Sequence, residues 1–252
     1  MTGAGTLIVA SWVLMATGVL TFGVLWWVAA PYGRFMRAGW GPTLPSRWGW
    51  TLMEAPAAFG FLVAFSLGAH RMDAVPLALL ALWQAHYLHR GLVFPWRLKE
   101  RGKRMPWVIV GMGLFFNCVN TWLNARWISD VGSYDPAWLW DPRFVAGVAL
   151  FATGYAVNQH ADAVLLALRP YGEAGYRIPF GGLYRWVSCP NYLGEILEWS
   201  GWALATWSWP GLAFAVFTIT NLAPRALSTH RWYRRTFTDY PPERKALVPF
   251  VV

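Results

Sequence analysis

Chemistry-bearing side chains stand inside stretches that are otherwise apolar. Glu54, His86, Arg90, Asn158, Asp162, Glu195, Glu198, Arg225 and His230 all fall in such stretches. At the centre of a membrane helix an Asp, Lys or Arg costs about 2.5–3.5 kcal/mol, so a functional reading is the default. Their spacing is ordered. Asn191, Glu195 and Glu198 recur at i, i+4 and i+7, one stripe of a helix. Asn158, Asp162 and Arg169 lie within about 40° of one another on a helix of 3.6 residues per turn. His230 and Tyr233 are i, i+3. One amide alone would be read as an interhelical hydrogen bond; three stripes at one depth point to a common polar cavity. Carboxyl and phenol groups there can donate or accept protons. Arg169, Tyr176 and Arg177, with Arg101 and Lys103, can meet phosphate or carboxylate. Asp162 and Glu195 can hold hydroxyl or amide groups of an organic cofactor.

Other chemistries lack their residues. No glycine-rich dinucleotide or phosphate loop is present, and no HExxH. With five His in all, the single His86-x-x-His89 cannot supply several histidine boxes, and no matched pairs offer two haem sites. Neither a metal nor nucleic acid is an expected partner. A transport path is disfavoured because the outer half of the apolar segments reads as lacking polar residues.

The elements that position these groups follow from composition. Charged residues are 13% of the 252, against roughly 25% in soluble domains, while hydrophobic residues reach 56% and Trp occurs 19 times. Two cysteines exclude a disulfide scaffold. Runs of about 20 apolar residues suffice to cross a bilayer. Such runs fall at roughly 6–30, 50–69, 74–96, 106–128, 143–168, 190–209 and 211–233. The expected fold is therefore an all-α integral membrane protein, one domain over 1–252 with seven transmembrane helices. Most of the 21 basic residues lie in alternate loops and the tail, around Arg34 to Arg47, Arg97 to Arg104, Arg169 to Arg185 and Arg231 to Lys245. That bias puts the N-terminus outside and the C-terminus in the cytoplasm. Every polar cluster then falls in the cytoplasmic half, as one cavity open to that side. The first segment lacks a basic start and reads as a span, not a cleaved leader.

The stretch Tyr176-Arg177-Ile178-Pro179-Phe180-Gly181-Gly182-Leu183, then Asn191-Tyr192-Leu193-Gly194-Glu195-Ile196, resembles the steroid 5α-reductase family. So does the ending Asp239-Tyr240-Pro241 followed by Arg244-Lys245-Ala246-Leu247-Val248-Pro249-Phe250. Upstream, Glu54-Ala55-Pro56 and His86-Tyr87-Leu88-His89-Arg90 match in type and order. The resemblance implies an NADPH-dependent reductase with seven membrane helices, spans 1–4 (1–142) on the substrate side and spans 5–7 (143–252) binding cofactor. It implies a substrate contact at Met53, Glu54 and Tyr87, where the family has Gln, Glu and Tyr. It implies cofactor contacts at Asn158, Asp162, Arg169, Tyr176, Arg177, Asn191, Glu195, Arg225, His230 and Tyr233, and more loosely at Arg101 and Lys103.

The implied reaction is conjugate reduction of a 3-oxo-Δ4 steroid, hydride going to C5 and a proton to C4, with Glu54 and Tyr87 as the catalytic groups. Related reductases of polyprenols or enoyl thioesters are the nearest alternative. Isoprenylcysteine-type methyltransferases using S-adenosylmethionine share the Pro190-Asn191-Tyr192 arrangement but not the Glu54–Tyr87 pair. The expected setting is a multi-pass monomer among membrane lipids, in a bacterial inner membrane or, in a eukaryote, the endoplasmic reticulum.

Overall fold

Proline, glycine and buried amides decide the shape of the helices. The computed structural model describes residues 3–98, 103–168 and 175–251. Among them, long helical rods follow the expected apolar segments closely. They are α1 (Gly3–Trp27), α2 (46–66), α3 (74–97), α4 (Trp107–Val131), α5 (Pro142–Ala167), α6 (Pro190–Thr206) and α7 (Trp209–Thr236). A short antiparallel ribbon pairs β1 (Thr43–Pro45) with β2 (Arg104–Pro106). By length and composition, α1 and α4 are the two described helices able to cross a membrane, with mean hydropathy of 2.1 and 1.3. α5 and α7 are longer, at 26 and 28 residues, but carry the polar side chains of the site. α1 exposes Val9, Val13, Leu20 and Val24 on its outer face, as a lipid-facing helix does.

α2 and α3 are both deformed beside a proline. Pro56 cannot donate to the preceding turn, and α2 widens into a π-turn at Pro56–Gly60. Two carbonyls of that turn accept from α3: Trp83 Nε1 to Ala57 at 2.7 Å and Gln84 Nε2 to Ala58 at 3.0 Å. α3 widens in the same way at His89–Val93, just before Pro95. In an apolar surround such freed carbonyls need side-chain donors.

α5 and α6 pack backbone to backbone. A Cβ on Gly147 would strike the backbone of Gly201 and Ala205, and one on Gly154 the backbone of Gly194 and Glu198. Glycines seven apart on both helices thus form one close seam, the small-residue packing that membrane helices favour. The far end of the seam is capped. Tyr134 Oη and Trp138 Nε1 donate to the last carbonyls of α6, Thr206 and Ala205, at 2.8 and 2.9 Å. Asp141 caps α5 by accepting from the Arg143 N–H at 2.8 Å, and the Arg143 side chain and backbone hold its carboxyl down to about 2.

At the other end, loops are strapped together. The β1–β2 ribbon ties 43–45 to 104–106, and the Ser46 N–H bonds the Lys103 carbonyl at 3.0 Å. The tail returns over the α5–α6 connection: Ser188 N–H bonds Lys245 O at 2.8 Å, Cys189 N–H bonds Ala246 O at 3.1 Å, and Arg244 reaches Pro179 O at 2.9 Å.

The half away from these loops is not free of polar side chains, contrary to the expectation. Asn120, Thr121 and Asn124 are buried on α4, and Trp202 Nε1 donates to Asn124 Oδ1 at 2.8 Å. They sit on the inner face of a span whose mean hydropathy hides them.

The seam predicts a contrast in stability. Gly154→Val and Gly201→Val should each lower the thermal midpoint in detergent, because overpacking there costs about 1–3 kcal/mol or more. Gly111→Ala, where a Cβ meets nothing within 4 Å, should leave the midpoint unchanged or raise it.

Candidate active site

The site lies at the end of the bundle where the strapped loops gather. A cavity of about 290 Å³ opens there, near the lower edge of small-molecule sites. It is lined by the C-terminal part of α1, the first half of α2, the end of α3, the start of α4 and α6, and α7 from Phe214 to Arg225. Most of its wall is apolar: Leu25, Met105, Ile109, Met112, Phe116, Phe214 and Phe217. Glu54, His86, Tyr87, Arg90, Asn117, Glu195 and Arg225 supply its polar atoms.

Glu54 enters the wall about two turns into α2, just before the Pro56 distortion. Asn117 Nδ2 donates to the Met53 carbonyl at 2.7 Å and to Glu54 Oε2 at 3.3 Å. Gly91 of α3 lets the two helices close on this point, since a Cβ there would lie 3.2 Å from Glu54 Cβ. Gly113 of α4 makes room for Met53, whose sulfur occupies the place a side chain at 113 would need. Tyr87 is 3% exposed and rests against Trp83 and Trp199, with ring centroids 4.8 and 5.5 Å away.

Arg90 ties the cavity to α5. Its Nη1 donates to Asp162 Oδ2 at 3.2 Å, and its guanidinium lies over Trp50 and Phe94. Asn191 Nδ2 reaches Asp162 Oδ1 at 3.4 Å, and Asn158 Nδ2 donates to the Asn191 carbonyl at 3.0 Å. His86 Nδ1 meets Glu198 Oε1 at 2.7 Å. Arg225 lies over Tyr32 and Tyr192 and donates to Asn221 Oδ1 at 3.0 Å, with no carboxylate partner among the described residues.

The expected residues therefore separate into three groups. Met53, Glu54, Tyr87, Glu195 and Arg225 share the cavity wall. Asn158, Asp162 and Asn191 form a network behind it, joined to it through Arg90. Lys103, Tyr176 and Tyr233 gather outside it around Arg34, whose guanidinium is within 5.3 Å of the Tyr176, Trp232 and Tyr233 rings and donates to Tyr233 Oη at 3.3 Å. Arg177 is exposed on the loop that follows Tyr176. His230 is not at the cavity: its Nδ1 bonds Ser188 Oγ at 2.6 Å, and that hydroxyl also meets Tyr240 Oη at 2.6 Å. Arg101 and Arg169 lie outside the described residues. The sequence assigned no role to Arg34 or Asn117. Asn117 was findable from its spacing with Asn120 and Asn124 on one face of α4; nothing local marked Arg34.

Residues 103–252 match the family model described as 3-oxo-5-alpha-steroid 4-dehydrogenase. The chain is 43% identical over 241 residues to the 3-oxo-5-alpha-steroid 4-dehydrogenase 1 of Bos taurus, covering 94% of this chain and 93% of the relative. It is 42% identical over 232 residues to the steroid 5-alpha-reductase DET2 of Gossypium hirsutum, covering 90% of each. With the DET2 of Arabidopsis thaliana it shares 40% over 246 residues, 94% of each. The chain belongs to the 3-oxo-5-alpha-steroid 4-dehydrogenase family. It is an oxidoreductase acting on CH–CH groups, and membrane association fits both the family and the two apolar spans. Among the described residues, no group of three or more His, Cys, Asp or Glu could hold a metal ion.

The Arg90–Asp162 pair gives this reductase a testable dependence. The two side chains are 16% and 8% exposed. Breaking such a pair from one side costs about 3–5 kcal/mol, because the partner charge stays buried. Arg90→Met or Asp162→Leu alone should each lower the thermal midpoint markedly, and the double variant by less than the sum. Additive losses in that cycle would mean that the two charges are not coupled.

Proposed function

We propose that this reductase saturates the Δ4 double bond of 3-oxo-Δ4 steroids with NADPH, in a seven-span domain whose cavity opens to the cytoplasmic side. The observation that carries the reading is the Glu54–Tyr87 pair at the polar end of a cavity walled by methionine and phenylalanine. A rigid hydrocarbon skeleton suits the wall, and an oxygen at one end suits the pair. The names of the relatives, steroid 5-alpha-reductase and 3-oxo-5-alpha-steroid 4-dehydrogenase, support the substrate class. The basic loops at the same end of the bundle support the cytoplasmic orientation.

The residues present fit an anionic dinucleotide. Arg225 is a guanidinium in the cavity wall whose hydrogen-bond partners Asn221 and Tyr192 are neutral, and Arg34 Nη1 is buried with no hydrogen-bond partner among the described residues. Each suits a phosphate or carboxamide oxygen. Arg169, Arg177, Arg101 and Lys103, with Tyr176 and Tyr233, are assigned to the phosphates. Asn158, Asp162, Asn191 and Glu195 are assigned to ribose and nicotinamide. NADPH, when bound, supplies the hydride.

The chain's own residues act on the substrate oxygen. Negative charge grows there as the β-carbon is reduced, and one well-placed donor lowers such a barrier by about 2.7–4 kcal/mol. The Tyr87 hydroxyl is that donor. Glu54 Oε2 accepts from Asn117, so Oε1 is the oxygen left to carry a proton toward the substrate or to orient Tyr87. The apolar wall excludes water from the developing enolate.

An NADPH-oxidation assay against testosterone, progesterone, a polyprenal and an enoyl thioester separates the substrate classes; activity confined to the last two would overturn the steroid assignment. Glu54→Gln should cut turnover by about 10²–10³ while leaving NADPH affinity unchanged. Arg225→Met should weaken NADPH binding about ten- to a hundredfold, the worth of one charge-assisted contact. Unchanged cofactor affinity in that variant would move the cofactor elsewhere.

A further inference from the structure

The reaction places one more demand on the site than the residues assigned so far can meet. Reduction of an enone adds a hydride at the β-carbon and a proton at the α-carbon. Glu54 and Tyr87 serve the oxygen. The α-carbon still needs an acid.

His86 has the position of one. Its ring lines the same cavity as Glu54 and Tyr87. Its Nδ1 is held by Glu198 Oε1 at 2.7 Å, with both side chains almost fully buried. That engagement leaves Nε2 as the ring's other proton-bearing atom. The ring is fixed in place by Tyr87 at 4.8 Å, Trp199 at 4.7 Å and Tyr155 at 6.3 Å between centroids. The charged and titratable groups around it are Glu198 and Glu195 from α6, Tyr155 from α5, Tyr87, His89 and Arg90 from α3, and Glu54 from α2.

The pair is also poorly explained as mere glue. Among the described residues, Glu198 Oε2 is buried with no hydrogen-bond partner, a cost that packing alone would have no reason to keep. α3 is already tied to the α5–α6 unit by Arg90 and Asp162. A carboxylate holding an imidazole by Nδ1 is the arrangement that orients it for proton transfer at its other nitrogen.

We propose that His86, held by Glu198, is the catalytic acid that protonates the α-carbon of the substrate; this rests on the enone-reductase reading above. The β-carbon receives a hydride, one hydrogen with two electrons, from the dihydronicotinamide reductant, and the double-bond pair moves toward the oxygen as an enolate. The Nε2–H bond then breaks as the α-carbon–hydrogen bond forms, and the enolate returns to a ketone. The neutral imidazole stays on Glu198 and regains its proton from water that enters the cavity once the product has left.

The test is reduction of a 3-oxo-Δ4 steroid in D₂O, with the deuterium at C4 read by NMR and steroid binding read separately by tryptophan fluorescence. Wild-type enzyme should place one deuterium on a single face of C4. His86→Gln should keep steroid affinity, lose about 10²–10⁴ in kcat, and spread deuterium over both faces. Glu198→Gln keeps a hydrogen-bonding partner at Nδ1 without the charge, and should move the alkaline limb of the kcat profile to lower pH. If wild-type enzyme leaves the enone untouched, the enone-reductase reading falls and the assignment with it. If wild-type enzyme reduces it and His86→Gln labels the same single face at the wild-type rate, the assignment alone falls. Should His86→Gln fail to fold, an unchanged pH profile in Glu198→Gln overturns it.

Discussion

A charge inside an apolar bundle must find a partner, and that requirement fixes which helices touch. α3 carries His86 and Arg90 at its loop end. Glu198 and Asp162 receive them, one from α6 and one from α5. A helix with two such groups one turn apart has little freedom to rotate, since turning either away strands a buried carboxylate. The receiving helices must themselves be rigid for this to work. The glycine seam supplies that rigidity, because the backbone of Glu198 lies directly against Gly154 and that of Asn158 against Gly194. The network behind the cavity is therefore presented by one fused pair of helices.

The other half of the site depends on helices that are imperfect. Glu54 lies two residues before the widened turn of α2, and Arg90 lies inside that of α3. Glu54 and Gly91 meet where the two distortions adjoin. π-turns gather at functional sites because they re-aim a side chain by a fraction of a turn. Here two carbonyls of the α2 turn are caught by Trp83 and Gln84, and Asn117 holds the chain at Met53. The distortion is thus satisfied on the inner face and leaves Glu54 and Tyr87 aimed at the same space.

Much of this was legible in the sequence, for a physical reason. Apolar runs, their flanking prolines and the scarcity of charge mark helix ends, so the rods came out within a few residues. Glu54, Glu195 and Arg225 stood out because charged groups are rare there, Tyr87 through the family resemblance, and the four do share a cavity. Other features depend on partners that no local pattern names. The stripe of Asn191, Glu195 and Glu198 reads as one face, yet its members meet Asp162, the cavity and His86 in turn. His230 carries the signature of a site residue, but its nearest task is to bind the loop at Ser188. Arg34 sits in an unremarkable loop and becomes the centre of an aromatic cluster only when the end of α7 and the α5–α6 loop close on it. The tail motif that resembles the family so closely is itself largely a strap: Arg244 and Lys245 hold Pro179 and Trp186.

The cavity divides its work between a stiff end and a soft one. At the polar end each group is held twice: Glu54 by Asn117 and the close approach of Gly91, His86 by Glu198 and three rings. At the apolar end the wall includes Met53, Met105 and Met112, unbranched side chains that repack at little cost. Discrimination between ligands comes from buried polar groups left unpaired far more than from one methylene too many or too few. On the proposed reading, such a cavity would be strict about the oxygen and its conjugated bond and lenient about the rest of the skeleton. Met53 bears on this division: its side chain packs toward Gly113 and offers no amide, so on the proposed reading the substrate oxygen would rely on Tyr87 and Glu54.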